Sequence, residues 1–188
     1  MKKIWSSIKE DVLFLVELVV IFLILNATLF PAQVVGSSMY PNLVEGEFGI
    51  SFKITAKLKV NRFDTVVVNY KDENKDLVKR VIGMPNETIK YVDNTLYIDG
   101  EKYDEEFLQD VTTNDFEVTL GESEYFVMGD NRNVSKDSRA DGPFKKDDII
   151  ATHFLVIYPF KEFRFVKWVI FNGFQVTWLK PIVKWKNN

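Results

Sequence analysis

The run Val12–Phe30, VLFLVELVVIFLILNATLF, constrains this chain more than any other feature. It is close to the roughly 20 apolar residues with which a helix crosses the hydrocarbon core of a bilayer. Only Glu17 is charged within it, and near one end of the run that carboxylate can snorkel or pair. Lys2, Lys3 and Lys9 precede the run, whereas the charges from Pro31 to Phe48 are the acidic Glu45 and Glu47. The positive-inside bias therefore predicts a cytoplasmic N-terminus and an exported remainder, a single-pass type II arrangement at the cell membrane. A cleaved signal peptide has a shorter apolar region and a small-x-small cleavage motif. This run is too long, and Asn26-Ala27-Thr28 is a poor cleavage motif, so an uncleaved anchor is expected.

Beyond the anchor, Val34 to Val156 is built from short alternating runs separated by turn residues, which predicts a mainly β body and not βαβ units. Asp64-Thr65-Val66-Val67-Val68-Asn69-Tyr70 is β-branched without interruption, as in a strand buried on both faces. Ile89–Val92, Asp93-Asn94 and Thr95–Ile98 spell a hairpin, and Asp99-Gly100 a second turn. Ile149–Tyr158 reads as a closing strand stopped by Pro159. The expected organisation is a cytoplasmic segment 1–11, an anchor 12–30, an extracytoplasmic β-rich domain 31–160 and an aromatic, basic, amphipathic tail 161–188. Within the domain, 101–124 is more polar and less regular, the candidate for a surface excursion or small subdomain. In the tail, Lys167, Lys180 and Pro181 leave an apolar run too short to span, so it is expected to lie on the outer leaflet, with a second crossing as the alternative.

Composition enters mainly by exclusion. The chain has no Cys and one His, which removes disulfides, thiolate catalysis and a His or Cys zinc site; no metal is expected. A formal charge of -3 leaves no electrostatic footprint for phosphate backbones, so nucleic acid is not an expected partner. A Ser-His-Asp triad would need His153, and no Gly-x-Ser-x-Gly elbow presents a serine. Within Ala151-Thr152-His153-Phe154-Leu155-Val156, alternation puts His153 on the face of Ala151 and Leu155, the place of a partly buried structural histidine.

Three clusters could carry chemistry. Gly36-Ser37-Ser38-Met39-Tyr40-Pro41 sets a serine in a loop just past the anchor, where a hydroxyl either bonds local backbone or acts as a nucleophile. In Asp76-Leu77-Val78-Lys79-Arg80-Val81-Ile82-Gly83, alternation places Lys79 with the apolar Leu77 and Val81. Such a lysine is either an exposed edge cation or, if desolvated, a neutral amine able to take a proton from a hydroxyl. Met128–Arg139, MGDNRNVSKDSR, packs a hydroxyl, carboxylates and guanidiniums into one loop, a solvated surface or a set of orienting groups.

Taken in order, these segments resemble the bacterial type I signal peptidases of the Gram-positive style, a short chain with one anchor. The family block Gly-x-Ser-Met-x-Pro-x-Leu falls on Gly36–Leu43, Lys-Arg-Val-Ile-Gly on Lys79–Gly83, and Gly-Asp-Asn-Arg-x-x-Ser-x-Asp-Ser-Arg on Gly129–Arg139. The resemblance covers Lys2 to about Pro159. It implies a signal-peptidase-like β domain with an exposed catalytic groove, Ser38 as nucleophile, Lys79 as general base, Ser135 hydrogen-bonded to Lys79, and Asp137 with Arg139 bracing the loop. It implies no cofactor, and as substrates exported preproteins with small residues at the first and third positions before the cut. Two positions depart from the family: Gly36 stands where some relatives carry an oxyanion-binding serine, and Asn42 where threonine is usual. Val34, Val35, Met39, Leu43, Leu77 and Val78 flank the dyad and are the candidates for lining the substrate pockets. The lipid bilayer is the expected partner of the anchor, and a monomer is the expected state. Rival readings are a catalytically restricted relative serving pilus assembly or another binding role, a self-cleaving repressor, and a plain tethered β domain. The repressor would need a DNA-binding helical domain where this chain has its anchor.

Overall fold

A computed structural model describes residues 2–71, 75–109 and 112–166. Helix α1 runs from Lys2 to Thr28. Its stretch Lys9–Thr28 is long and apolar enough to cross a bilayer, and none of that length is buried against the rest of the protein. The apolar run is not helical to its end. Leu29 and Phe30 open strand β1 (Leu29–Gln33), which pairs antiparallel with β2 (Phe48–Phe52) in the register Leu29↔Phe52 to Gln33↔Phe48. Tertiary pairing wins here: the ladder satisfies backbone groups that a longer helix would otherwise take. Pro31 is tolerated because β1 is the edge of its sheet.

The helix α2 (Lys53–Leu58) follows, then β3 (Thr65–Tyr70), β4 (Lys75–Gly83), β5 (Thr88–Val92), β6 (Thr95–Ile98), β7 (Glu101–Tyr103), β8 (Phe116–Thr119), β9 (Glu124–Met128), α3 (Ser138–Asp141), β10 (Phe144–Lys145), β11 (Ile149–Tyr158) and β12 (Arg164–Phe165). Most strands join one antiparallel sheet in the order β1-β2-β11-β3-β4-β9-β10, with β12 beside β11; β7-β6-β5-β8 form a second, smaller sheet. The chain is thus mainly β behind one apolar helix. Val66, Val67 and Val68 are buried one after another, as a strand covered on both faces requires. Asp93 and Asn94 both take positive φ, the conformation of a two-residue primed turn, and close the β5–β6 hairpin.

The polar stretch 101–124 is built into the fold. It supplies β7 and β8 to the small sheet, and its Phe107 and Leu120 are buried in that sheet's core beside Ile89, Tyr91 and Phe126. His153 sits in β11 and is partly buried, but its φ of 58° breaks the pleat, so Ala151 and Thr152 are both buried and simple alternation does not carry through. The register of β11 against β2 shifts at that point, between Thr152 and Leu155. The tail beyond Val166 lies outside the described residues.

Candidate active site

The loop that carries Ser38 is nailed down by its apolar neighbours. Val34, Met39 and Leu43 are buried in one cluster with Phe154, Val156 and Val166, against which Val78 packs. Between these anchors Gly36 takes a φ of +79°, and the backbone closes on itself through Tyr40 N–H to the Ser37 carbonyl (3.1 Å) and Leu43 N–H to the Met39 carbonyl (2.9 Å). A short, doubly anchored loop fixes where the intervening hydroxyl points. Ser38 is half-buried there.

Strand β4 brings the amine. Lys79 pairs across the ladder with Val66 and is only 3% exposed, and its Nζ donates to Ser38 Oγ at 2.9 Å. Burial is the largest influence on this amine and lowers its pKa from the usual lysine range to about 8; Asp137 and Asp130 pull it up, and Arg139 pushes it down. The next residue, Arg80, is fully buried and grips Asp130 with two bonds, Nε to Oδ1 at 2.8 Å and Nη2 to Oδ2 at 2.7 Å. Successive residues of one strand therefore place the amine and clamp the loop beside it.

That loop, Gly129–Arg139, is no solvated surface: Asp130, Arg132, Asp137 and Ser138 are buried. Asp137 organises it. Its carboxylate accepts from Gly129 N–H (2.9 Å), caps α3 by accepting from Arg139 N–H (3.2 Å), and takes Nε and Nη2 of Arg139 at 2.9 Å each. Burial pushes the Asp137 carboxyl up, but the guanidinium of Arg139 and the Gly129 N–H outweigh it and hold its pKa below the usual carboxylate range. Asn131 N–H donates to the Ser38 carbonyl at 3.0 Å, tying the loop to the serine's own backbone. At Gly129 any side chain would collide with the Ser135 hydroxyl and the Ser38 carbonyl, so only glycine permits the approach.

The structure brings Ser38, Lys79, Asp137 and Arg139 to one place. Ser135 lies against Gly129 and its hydroxyl is among the groups that lower the Asp137 pKa, while the bond expected from it to Lys79 is not formed. Of the flanking apolar residues, Val34, Met39, Leu43 and Val78 share one cluster, Val35 is 83% exposed, and Leu77 packs against a different cluster with Val68 and Val81. A cleft of about 660 Å³ beside the loop is lined by residues that include Ser135, Arg139, Phe116 and Phe126, and not by Ser38 or Lys79. His153 stands apart, its Nδ1 2.8 Å from Thr152 Oγ1 and its Nε2 3.8 Å from Asp64. Among the described residues no cluster of three His, Cys, Asp or Glu side chains is placed to hold a metal.

Sequence reasoning missed two supports. Asn42 Nδ2 donates both to Asp130 Oδ2 (2.8 Å) and to the Phe107 carbonyl (2.7 Å). Arg132 donates through Nε to the Gly129 carbonyl (3.0 Å) and through Nη2 to Glu105 (2.6 Å). No local signal marks Glu105 or Phe107, which lie in the irregular polar stretch.

The family model described as signal peptidase, peptidase S26, matches residues 7–158. A signal peptidase IB of Staphylococcus aureus is 34% identical over 169 residues, covering 80% of this chain and 88% of its own length. A signal peptidase I of Bacillus licheniformis is 37% identical over 173 residues, covering 85% and 93%. A crystal structure of a signal peptidase I from Enterococcus faecalis superposes with a TM-score of 0.47 at 34% identity, over 50% of this chain and 96% of the other.

Proposed function

The chain belongs to the signal peptidase family, peptidase S26, and on that premise we propose that it removes signal peptides from exported preproteins by acyl transfer through Ser38, with Lys79 as general base. The observation that carries the reading is the 2.9 Å contact between Ser38 Oγ and the Nζ of a lysine only 3% exposed. With a pKa of about 8, roughly a tenth of the Lys79 side chains are neutral at pH 7, against about 0.03% for an unperturbed lysine.

In the neutral form the same contact reverses, and Ser38 O–H donates to Nζ. Ser38 Oγ then attacks the scissile carbonyl carbon as its proton passes to Nζ, and the carbonyl oxygen gathers negative charge. With Gly36 supplying no hydroxyl, the backbone N–H of Ser38 carries more of the stabilisation of that oxyanion. Collapse breaks the C–N bond, and the ammonium of Lys79 returns its proton to the departing amine. A water enters, Lys79 takes one of its protons, and hydrolysis of the ester frees Ser38. Asp137 and Arg139 hold the loop against this pair, and small pockets beside Val34, Met39 and Val78 select small residues at the first and third positions before the cut.

A membrane anchor with its N-terminus in the cytoplasm and the β domain outside fits this substrate, whose cut lies at the outer end of its own hydrophobic segment. Tethering both partners to one bilayer raises their effective concentration. The test incubates the full chain in detergent with a preprotein carrying Ala-x-Ala and reads the new N-terminus by mass spectrometry. Cleavage after the motif is expected, and its abolition by Ser38→Ala and by Lys79→Met. Unchanged cleavage by either variant would sink the mechanism.

A further inference from the structure

Between β7 and β8, outside every motif that marks the site, a short strap of the small sheet reaches both clamps that flank the reacting pair. Glu105 takes Arg132 Nη2 at 2.6 Å and Nη1 at 3.2 Å, and it also accepts from the Tyr91 hydroxyl. Arg132 in turn holds the Gly129 carbonyl, one peptide unit from the N–H that Asp137 grips. Two residues along the strap, the Phe107 ring lies 4.3 Å beneath the Arg80 guanidinium and 5.2 Å from the Phe63 ring, 3% exposed. The Phe107 carbonyl receives Asn42 Nδ2, whose second proton goes to Asp130. One amide nitrogen thus ties the serine's block, the catalytic loop and the strap together. A threonine hydroxyl, with a single proton, could make only one of these bonds.

We propose that Glu105, Phe107 and Asn42 are positioning residues of this enzyme: through Arg132, Arg80 and Asp130 they make the Ser38–Lys79 geometry depend on the docking of the small sheet. The inference rests on the Ser38–Lys79 reading and extends it to a part of the chain that touches neither residue. Its physical basis is leverage. Arg80 follows Lys79 on β4, Gly129 packs on the Ser38 carbonyl, and Asn42 lies in the serine's own loop, so slack at any of the three contacts is passed to the reacting atoms. A misplacement of about 1 Å at such a centre costs on the order of a hundredfold in rate.

The experiment compares preprotein cleavage by the full chain carrying Glu105→Gln, Phe107→Leu or Asn42→Thr, with Glu106→Gln, an exposed strap neighbour, as control. Each of the three variants is expected to lower kcat about tenfold or more with KM changed less than about twofold, since the substrate contacts are left in place. The acid limb of the pH profile is expected to move to higher pH, as a loosened loop readmits water around Lys79, while Glu106→Gln retains wild-type behaviour. Variants that lower the melting temperature yet keep kcat and the position of the limb would show a merely structural strap and overturn the proposal. If instead Ser38→Ala still cleaves, the underlying mechanism falls. The two failures are separable in one set of assays.

Discussion

Replacing Lys79 by methionine should make the protein more stable at neutral pH while destroying its activity. Burial lowers the Lys79 pKa from 10.5 to about 8, so the folded state disfavours the ammonium that the unfolded chain carries freely. The difference of about 2.5 units corresponds to about 3 kcal/mol of lost stability at every pH below about 8. Methionine matches the length of the side chain and removes the charge. Against this gain stands the hydrogen bond to Ser38, whose loss costs about 1 kcal/mol, leaving a net advantage of about 2 kcal/mol. In a chain of this size that is a rise of roughly 4 to 8 °C in melting temperature. The pH dependence has a definite sign. Between about 8 and 10.5 the unfolded chain binds a proton that the folded one does not, so wild-type stability climbs with pH through that window and the burial penalty vanishes above it. The advantage of the variant should therefore shrink from pH 8 upward and reverse by about 1 kcal/mol above 10.5, where only the missing hydrogen bond remains. Thermal melts of both proteins in one detergent, followed by circular dichroism of the sheets from pH 6 to 11, read this directly. A variant less stable at pH 7, or a difference that does not change with pH, would refute the account of Lys79 as a desolvated amine.

Further outcomes follow from the same geometry. Below about pH 8, kcat/KM should rise about tenfold per pH unit and level off above it, because the proposed mechanism uses the neutral amine of Lys79; an acid limb centred between 4 and 6.5, the range of free carboxylates and imidazole, would point to another base. Gly129→Ala should cost more than about a hundredfold in kcat, since the new methyl meets the Ser135 hydroxyl and the Ser38 carbonyl at once, and wild-type turnover by this variant would remove the close-approach argument. Asp130→Ala removes the carboxylate that takes two bonds from the buried Arg80 guanidinium and should destabilise by about 3 to 5 kcal/mol, checked by urea unfolding; a loss under about 1 kcal/mol would mean that the remaining contacts of Arg80, or water, replace the lost carboxylate.

What could be read from the sequence were features whose cause is local. Val66–Val68, the Asp93-Asn94 turn and the stop at Pro159 follow from residue shape and backbone preference, and the structure has them at the expected places. Leu29 and Phe30 read as part of the apolar run because hydrophobicity cannot separate a helix end from a strand; their pairing with Ser51 and Phe52 is decided some twenty residues away. His153 escaped alternation because its positive φ turns the strand within one residue. The blocks around Ser38, Lys79 and Gly129 were legible as residue types, yet no rule of spacing says that 2.9 Å separates Oγ from Nζ. That distance is produced by the packing of Met39 and Leu43 against Phe154, Val156 and Val166, by the β3–β4 register, and by the buried Arg80–Asp130 pair. The polar stretch 101–124 was the hardest to read for the same physical reason that makes it matter. Its charges look solvated one at a time, and Glu105 becomes a buried partner only once Arg132, 27 positions away, folds against it. Ion pairs of that kind cost desolvation and are satisfied only by a specific partner geometry, so they carry information about the site that hydropathy and periodicity do not hold.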